Sequence, residues 1–366
     1  MKRLVILGAG TGGTVMANLL RRRLRRAEWM ITVIDRDDEH YYQPGFLFIP
    51  FGFLTRKQIV KPRSEFLPKG VEFLIAEIDR IDPVANEVLL QGGAKVPYDY
   101  LIVATGAWIQ PAETPGMLDG WRDTIFDFYT PDGASALAEK LRNFAGGTIV
   151  VHINETPIKC PVAPLEFAFF CDWCLRRHHK RNKVEIVFVT PLPGAFTKPV
   201  ASKTLGSLLE KKRIRMVADF NAERIDAEAR KLIGFDGREV PYDLLVTVPT
   251  NMGSEMIERS GMGNEFRFLP TDPATLRSKK YANIFALGDA TDLPSSKAGS
   301  VVHFQSEILA ENLVRAVEGR PLEPGFDGHA NCFVESGRGK AILIDFNYET
   351  EPLPGRFPFP VLGPMP

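Results

Sequence analysis

Lys2-Arg3-Leu4-Val5-Ile6-Leu7-Gly8-Ala9-Gly10-Thr11-Gly12-Gly13 opens the chain, and its reading decides the fold. The stretch from Lys2 to Leu7 has the length and apolar content of a buried parallel strand. Gly8, Gly10 and Gly13 follow in the spacing G-x-G-x-x-G, Thr14 to Arg22 reads as a helix, and a second strand, Met30 to Ile34, leads to Asp35. An acid about 20 residues beyond the glycines completes a dinucleotide-binding fingerprint. The first glycine permits a sharp turn, the second lets backbone N–H groups approach a pyrophosphate, and the third packs helix against strand. The helix N-terminus favours the phosphate charge, Thr11 sits in the same turn, and Asp35 is placed to accept ribose hydroxyls.

Further along, Tyr100 to Val103 reads as a strand entering Ala104-Thr105-Gly106, and Asn283 to Leu287 as another entering Gly288-Asp289-Ala290. Each alone is an ordinary strand-end turn. In this order behind the N-terminal fingerprint, they are the pattern of flavoproteins with two dinucleotide-binding domains, and they predict FAD. A second glycine fingerprint for a nicotinamide is expected after a strand near residue 150. The strand is present, Gly147 to Ile153, but the turn reads Asn154-Glu155-Thr156-Pro157-Ile158-Lys159-Cys160-Pro161, without a glycine. Its two prolines also remove backbone donors. The expectation is a domain kept as architecture that has lost nicotinamide binding.

At Cys160 the sequence resembles the sulfide:quinone oxidoreductases and the flavoprotein subunits of flavocytochrome c sulfide dehydrogenases. The resemblance runs to about residue 360. Besides the opening it rests on His40-Tyr41-Tyr42-Gln43-Pro44-Gly45, Lys159-Cys160-Pro161, Leu165-Glu166-Phe167-Ala168, Gly288-Asp289, Lys297-Ala298-Gly299, Phe326-Asp327-Gly328 leading to Cys332, and Gly339-Lys340. It implies that Cys160 and Cys332 form a redox pair bridged as a disulfide or polysulfide. Hydrosulfide attacks the bridge, two electrons pass to FAD, and a quinone reoxidises the flavin. It further implies that Pro44 and Lys297 belong to the cofactor site and that Lys297 stabilises reduced flavin. Glu166 is read either as a proton acceptor or as an ordinary helix-start carboxylate. Many members carry a third cysteine where this chain has Phe126-Asp127-Phe128-Tyr129-Thr130-Pro131, and some attach flavin covalently near the Tyr41–Tyr42 position. Non-covalent FAD is therefore expected.

Cys171 and Cys174 form C-x-x-C on the helix after Cys160, followed by a basic run with His178 and His179. Burial on one stripe with Phe167 and Phe170, a sulfur-relay role and metal binding all stand as readings, with burial favoured because no second C-x-x-C exists. No metal site is expected. His303 reads as a satisfied helix-start histidine.

Composition agrees. The 366 residues carry 45 basic and 45 acidic side chains and four cysteines. The balanced charge gives no nucleic-acid signal, and four cysteines make no disulfide scaffold. The expected fold class is α/β with two Rossmann-like doubly wound domains, an FAD domain split by an inserted nicotinamide-domain-like layer, plus a C-terminal region. The expected boundaries are 1–110, 111–275, 276–320 and 321–366, with an antiparallel hairpin region at 71–90. The chain starts directly in a strand and the proline-rich end forms no helix, so a cytoplasmic protein lacking the family's membrane-interface helices is expected. Peripheral membrane contact through apolar stretches such as 46–53 or 357–362 is an open expectation, as is a homo-oligomer or a partner subunit. A sulfide dehydrogenase subunit serving a haem protein, and a non-catalytic flavoprotein sensor or scaffold, are the alternatives to a sulfide:quinone enzyme.

Overall fold

A computed structural model describes residues 1–353. The chain divides into two compact units that share it in alternation. The first holds residues 1–41, 60–108 and 252–330; the second holds 42–59, 109–251 and 331 onward.

The first unit is organised by a five-stranded parallel sheet, in the order Ile284–Ala286, Tyr100–Val103, Lys2–Leu7, Trp29–Asp35, Glu72–Ile75. Its central strand is flanked on both sides, so Leu4, Val5, Ile6 and Leu7 are all buried, as the apolar run requires. The helix Thr11–Arg23 follows that strand, and Gly299–Val317 is the unit's longest helix. The first starts earlier than the expected Thr14, because small residues occupy its first turn, where intrinsic propensity is overridden. An antiparallel meander, Ile78–Asp82, Glu87–Leu90 and Lys95–Pro97, supplies Ile81, Val88 and Leu90 to the core beneath the sheet.

A second five-stranded parallel sheet orders the other unit: Ile125–Phe126, Leu244–Val248, Gly147–Ile153, Val184–Val189, Arg215–Val217. Val150, Val187, Val189 and Leu245 pack with Phe220 and with Leu232 of the antiparallel meander Ala222–Asp226, Lys231–Gly234 and Glu239–Pro241. The helices Pro131–Asn143, Ala163–Arg177 and Pro199–Lys211 complete it, with a two-stranded sheet formed by Ala330–Gly337 and Lys340–Phe346.

The units thus follow the doubly wound class, but their limits differ from the expected ones. Residues 252–275 belong with the first sheet and 42–59 with the second. The stretch 46–53, expected as an apolar surface, is turned inward instead. Phe46, Leu47 and Ile49 are buried, and Phe51 and Phe53 contact Phe167, Phe170 and Trp173 of the helix Ala163–Arg177. The other apolar stretch, 357–362, lies outside the described residues. Among the described residues no helix is long and apolar enough to cross a membrane.

Candidate functional site

In the first unit the turn Gly8–Gly13 joins the central strand to the helix Thr11–Arg23. A Cβ on Gly13 would overlap the Gly8 carbonyl, so only glycine permits this packing, whereas a Cβ on Gly10 would meet no protein atom within 4 Å. Gly10 is the helix N-cap, with no side-chain cap and no acid in the first turn, so the helix start presents unspent N–H donors. Asp35, at the end of the next strand, accepts from Ala9 N at 2.7 Å and pairs with Arg63 at 3.1 Å. Thr105 keeps a buried hydroxyl without a partner, and Gly106 beside it has φ +70° with open space around it. Gly288 N donates to Gln305 at 2.7 Å, and Asp289 follows in the same short turn. A cradle open at Gly10 and Gly106, an orphaned hydroxyl and an uncapped helix start fit a dinucleotide, here FAD.

Lys297 is in the same unit but is engaged by the protein itself. Its Nζ donates to the carbonyls of Asp289 at 3.0 Å and Thr291 at 2.8 Å and lies 3.8 Å from the Phe268 ring centroid. Burial lowers its pKa to about 8, against the raising charges of Asp289 and Asp292. Its visible work is to hold the loop after Gly288. Pro44 is exposed and belongs to the second unit. His303 is exposed on the helix Gly299–Val317.

In the second unit the strand Gly147–Ile153 enters the glycine-free turn. Cys160 stands in that turn, before the helix Ala163–Arg177 rather than on it, with φ +43°. That conformation costs a non-glycine residue energy and persists where surroundings hold it. Lys159 N donates to Asn251 Oδ1 at 3.0 Å, and the Cys160 carbonyl accepts from Ala163 N at 2.9 Å and from the Tyr129 hydroxyl at 3.2 Å. Tyr129 is braced in turn, because Asp127 Oδ1 accepts from Tyr129 N and Thr130 N at 2.8 Å each. Phe128 stacks on Phe167, with ring centroids 4.9 Å apart.

Glu166 lies in the first turn of that helix and is buried. Its Oε1 accepts from Glu335 N at 2.9 Å, and Glu335 follows Cys332 by three residues on the strand Ala330–Gly337. Burial raises the Glu166 carboxyl to about 7; the Glu335 N–H opposes this and the Glu335 charge adds to it. Burial, then the charge of Glu166, pushes the Cys332 thiol up to about 12. Tyr129 is held well above an ordinary phenol by burial and by the charges of Cys160 and Glu166. Cys160, Tyr129, Glu166 and Cys332 are therefore one electrostatic cluster. All four cysteines of the chain are thiols here.

In sequence Tyr129 marks only the position of a missing cysteine, and its bond to the Cys160 carbonyl gives it a positive task. Asn251 and Glu335 had no local signal at all. Cys171 is buried and its thiol strongly raised, and Cys174 is raised to about 11, both chiefly by burial; neither is a ready thiolate. Among the described residues no group of His, Cys, Asp or Glu is arranged to hold a metal.

A sequence profile described as pyridine nucleotide-disulphide oxidoreductase matches residues 2–308. The mitochondrial sulfide:quinone oxidoreductase of Dictyostelium discoideum is 28% identical over 95% of this chain and 78% of its own length. That of Mus musculus is 25% identical over 97% of this chain and 80% of its own. Among solved structures, the sulfide:quinone oxidoreductase of the hyperthermophilic bacterium Aquifex aeolicus superposes with a TM-score of 0.82 at 23% identity, covering 95% of this chain and 84% of that one.

Proposed function

This chain belongs to the pyridine nucleotide-disulphide oxidoreductase family, and from that premise we propose that it is an FAD-dependent sulfide:quinone oxidoreductase. It oxidises sulfide to a persulfide or polysulfide through Cys160 and Cys332 and passes the electrons to a quinone. The observation that carries the reading is that the strand of Cys332 is docked on the buried Glu166 carboxyl, in the first turn of the helix that Cys160 precedes. The docking bond is the one that Glu335 N donates.

The roles follow from the chemistry of the cluster. Hydrosulfide attacks the bridge between the two cysteines: a new S–S bond makes a persulfide, the old one breaks, and the other sulfur departs as a thiolate holding the electron pair. Bound FAD supplies the two-electron sink for that pair and the carrier that delivers it to the quinone. The persulfide proton needs an acceptor. Glu166, with a pKa of about 7, is divided between its ionised and protonated forms at neutral pH, which suits it to take that proton and return one. A thiolate at Cys332 faces both burial and the Glu166 charge, so it is reprotonated unless its electron pair is withdrawn. Tyr129 and Asn251 hold the Cys160 turn in its left-handed conformation.

Gly8, Gly10, Thr11, Gly13, Asp35, Thr105, Gly106, Gly288 and Asp289 are the residues assigned to FAD, with Lys297 supporting their last loop. Quinones partition into lipid, so the proposal includes peripheral contact with a membrane on its cytoplasmic side. The test is anaerobic mixing of the yellow holoenzyme with sulfide. Bleaching of the oxidised-flavin band, restored by a soluble quinone, is the expected result; a protein that stays yellow overturns the proposal.

A further inference from the structure

In the first unit the strands Tyr100–Val103 and Ile284–Ala286 run side by side in parallel. Ala286 stands opposite Val103, and Leu287 N donates to the Val103 carbonyl at 3.2 Å. Two residues beyond that pair come Thr105 on one strand and Gly288 on the other. In open parallel sheets ligands bind at these carboxyl ends. Two buried polar groups belong to this corner with bonds to spare. Among the described residues the Thr105 hydroxyl has no partner, and neither has Gln305 Nε2, on the helix Gly299–Val317.

Gln305 is the unexpected one. It is fully buried in a helical stripe with Val301, Val302, Leu309 and Leu313, where the period calls for an apolar side chain. Its carbonyl end is accounted for, because Oε1 accepts from Gly288 N at 2.7 Å. Its amino end carries two N–H donors. An unpaired donor held away from water costs at least as much as one ordinary hydrogen bond contributes, so the bond to Gly288 alone does not account for a glutamine here. Nε2 shares one planar carboxamide with the oxygen that grips the Gly288–Asp289 turn, and that turn, like Thr105, is assigned to FAD. Asp35, assigned to the ribose, ends a strand three places away across the sheet, about 14 Å at the usual strand spacing.

We infer that Gln305 binds the cofactor directly: its carbonyl holds the Gly288 turn while its amide donates to an acceptor oxygen in the flavin-side half of FAD. The inference rests on the assignment of FAD to this turn and does not depend on sulfide being the electron donor. FAD then satisfies a donor that the protein alone leaves unpaired.

The test is release of FAD from the full-length holoenzyme, followed as recovery of flavin fluorescence after dilution. It is run at neutral pH and at about pH 9, where even a buried glutamate is largely ionised. Gln305→Met fills similar space without a polar end and is expected to release FAD about tenfold faster. Gln305→Glu keeps an acceptor for Gly288 N but, once ionised, has no donor. It is expected to release FAD faster than Gln305→Met, and the more so at the higher pH. Leu309→Ala opens a cavity one turn further along the same helix and controls for loosened packing: it lowers the thermal unfolding temperature and leaves FAD release near the wild-type rate. Release from Gln305→Glu at the wild-type rate means that Gln305 only braces Gly288. Release from Leu309→Ala as fast as from Gln305→Met reduces the effect to packing. Either result overturns the inference. Where the buried charge of Gln305→Glu prevents folding, Gln305→Met against Leu309→Ala still decides. A wild-type protein that purifies without FAD overturns the cofactor assignment itself, whereas a yellow protein whose Gln305 variants keep FAD as well as wild type overturns this inference alone.

Discussion

The turn at Gly8–Gly13 and the turn at Asn154–Pro161 occupy the same station in the two units: each leaves a parallel strand and enters a helix. Their backbones are put to opposite uses. The first leaves its helix start uncapped, with no acid in the first turn and open space at Gly10. The second commits its donors internally, Asn154 N to Val248, Lys159 N to Asn251 and Ala163 N to Cys160, and carries an acid, Glu166, in the first turn of its helix. One scaffold therefore yields a phosphate cradle where donors are left over, and a cysteine mount where they are spent.

The comparison breaks most visibly at Cys160. Cys160→Ser is expected to slow bleaching of the flavin by sulfide by about three orders of magnitude in anaerobic stopped flow, since a hydroxyl cannot form the bridge. Bleaching at the wild-type rate would reduce the second turn to architecture. Glu166→Gln is expected to cost about 10²-fold in the same rate and to flatten its pH dependence near neutrality, as loss of a general acid–base does. It has a stability signature too. A carboxyl raised from its ordinary value to about 7 binds more protons folded than unfolded, so wild-type stability falls as pH rises through that window and levels off above it. Urea unfolding at pH values on either side should show this fall in the wild type and little of it in Glu166→Gln.

Gly10→Ala sharpens the other side. The fold has room for the methyl group, so thermal unfolding of the apoprotein should be nearly unchanged while FAD affinity drops about tenfold, the equivalent of ~1.4 kcal/mol. Unaltered FAD affinity would mean that nothing needs to approach Gly10 closely. Tyr129→Phe should be the smallest effect. Losing one hydrogen bond to the Cys160 carbonyl, worth about 1 kcal/mol, should change the rate of Cys160 alkylation severalfold without loosening FAD. An alkylation rate equal to wild type would remove Tyr129 from the mount.

What was legible in sequence was what is local. The glycine turn, its strand and its acid fall within one continuous stretch, so spacing alone reads them. The proposed pairing of Cys160 with Cys332 comes from resemblance and from no local pattern. The braces of the second turn and of the helix after it are not legible because Tyr129 and Asn251 reach the turn across 31 and 92 residues of chain and Glu335 reaches Glu166 across 169, and no periodicity reports such meetings. The run Phe46 to Phe53 shows the limit in another way: an apolar stretch without a period does not say whether it faces solvent or, as here, the aromatic side of a helix.

The alternation of the two units along the chain sets an order of assembly during synthesis. All five strands of the second parallel sheet, from Ile125–Phe126 to Leu244–Val248, leave the ribosome before Ile284–Ala286, the last strand of the first. The opening fingerprint, although translated first, must wait for that edge strand while its exposed apolar run is at risk of misassociation. Chaperone demand should therefore concentrate on the N-terminal strands, and slowing translation between residues 110 and 280 should lengthen their exposure.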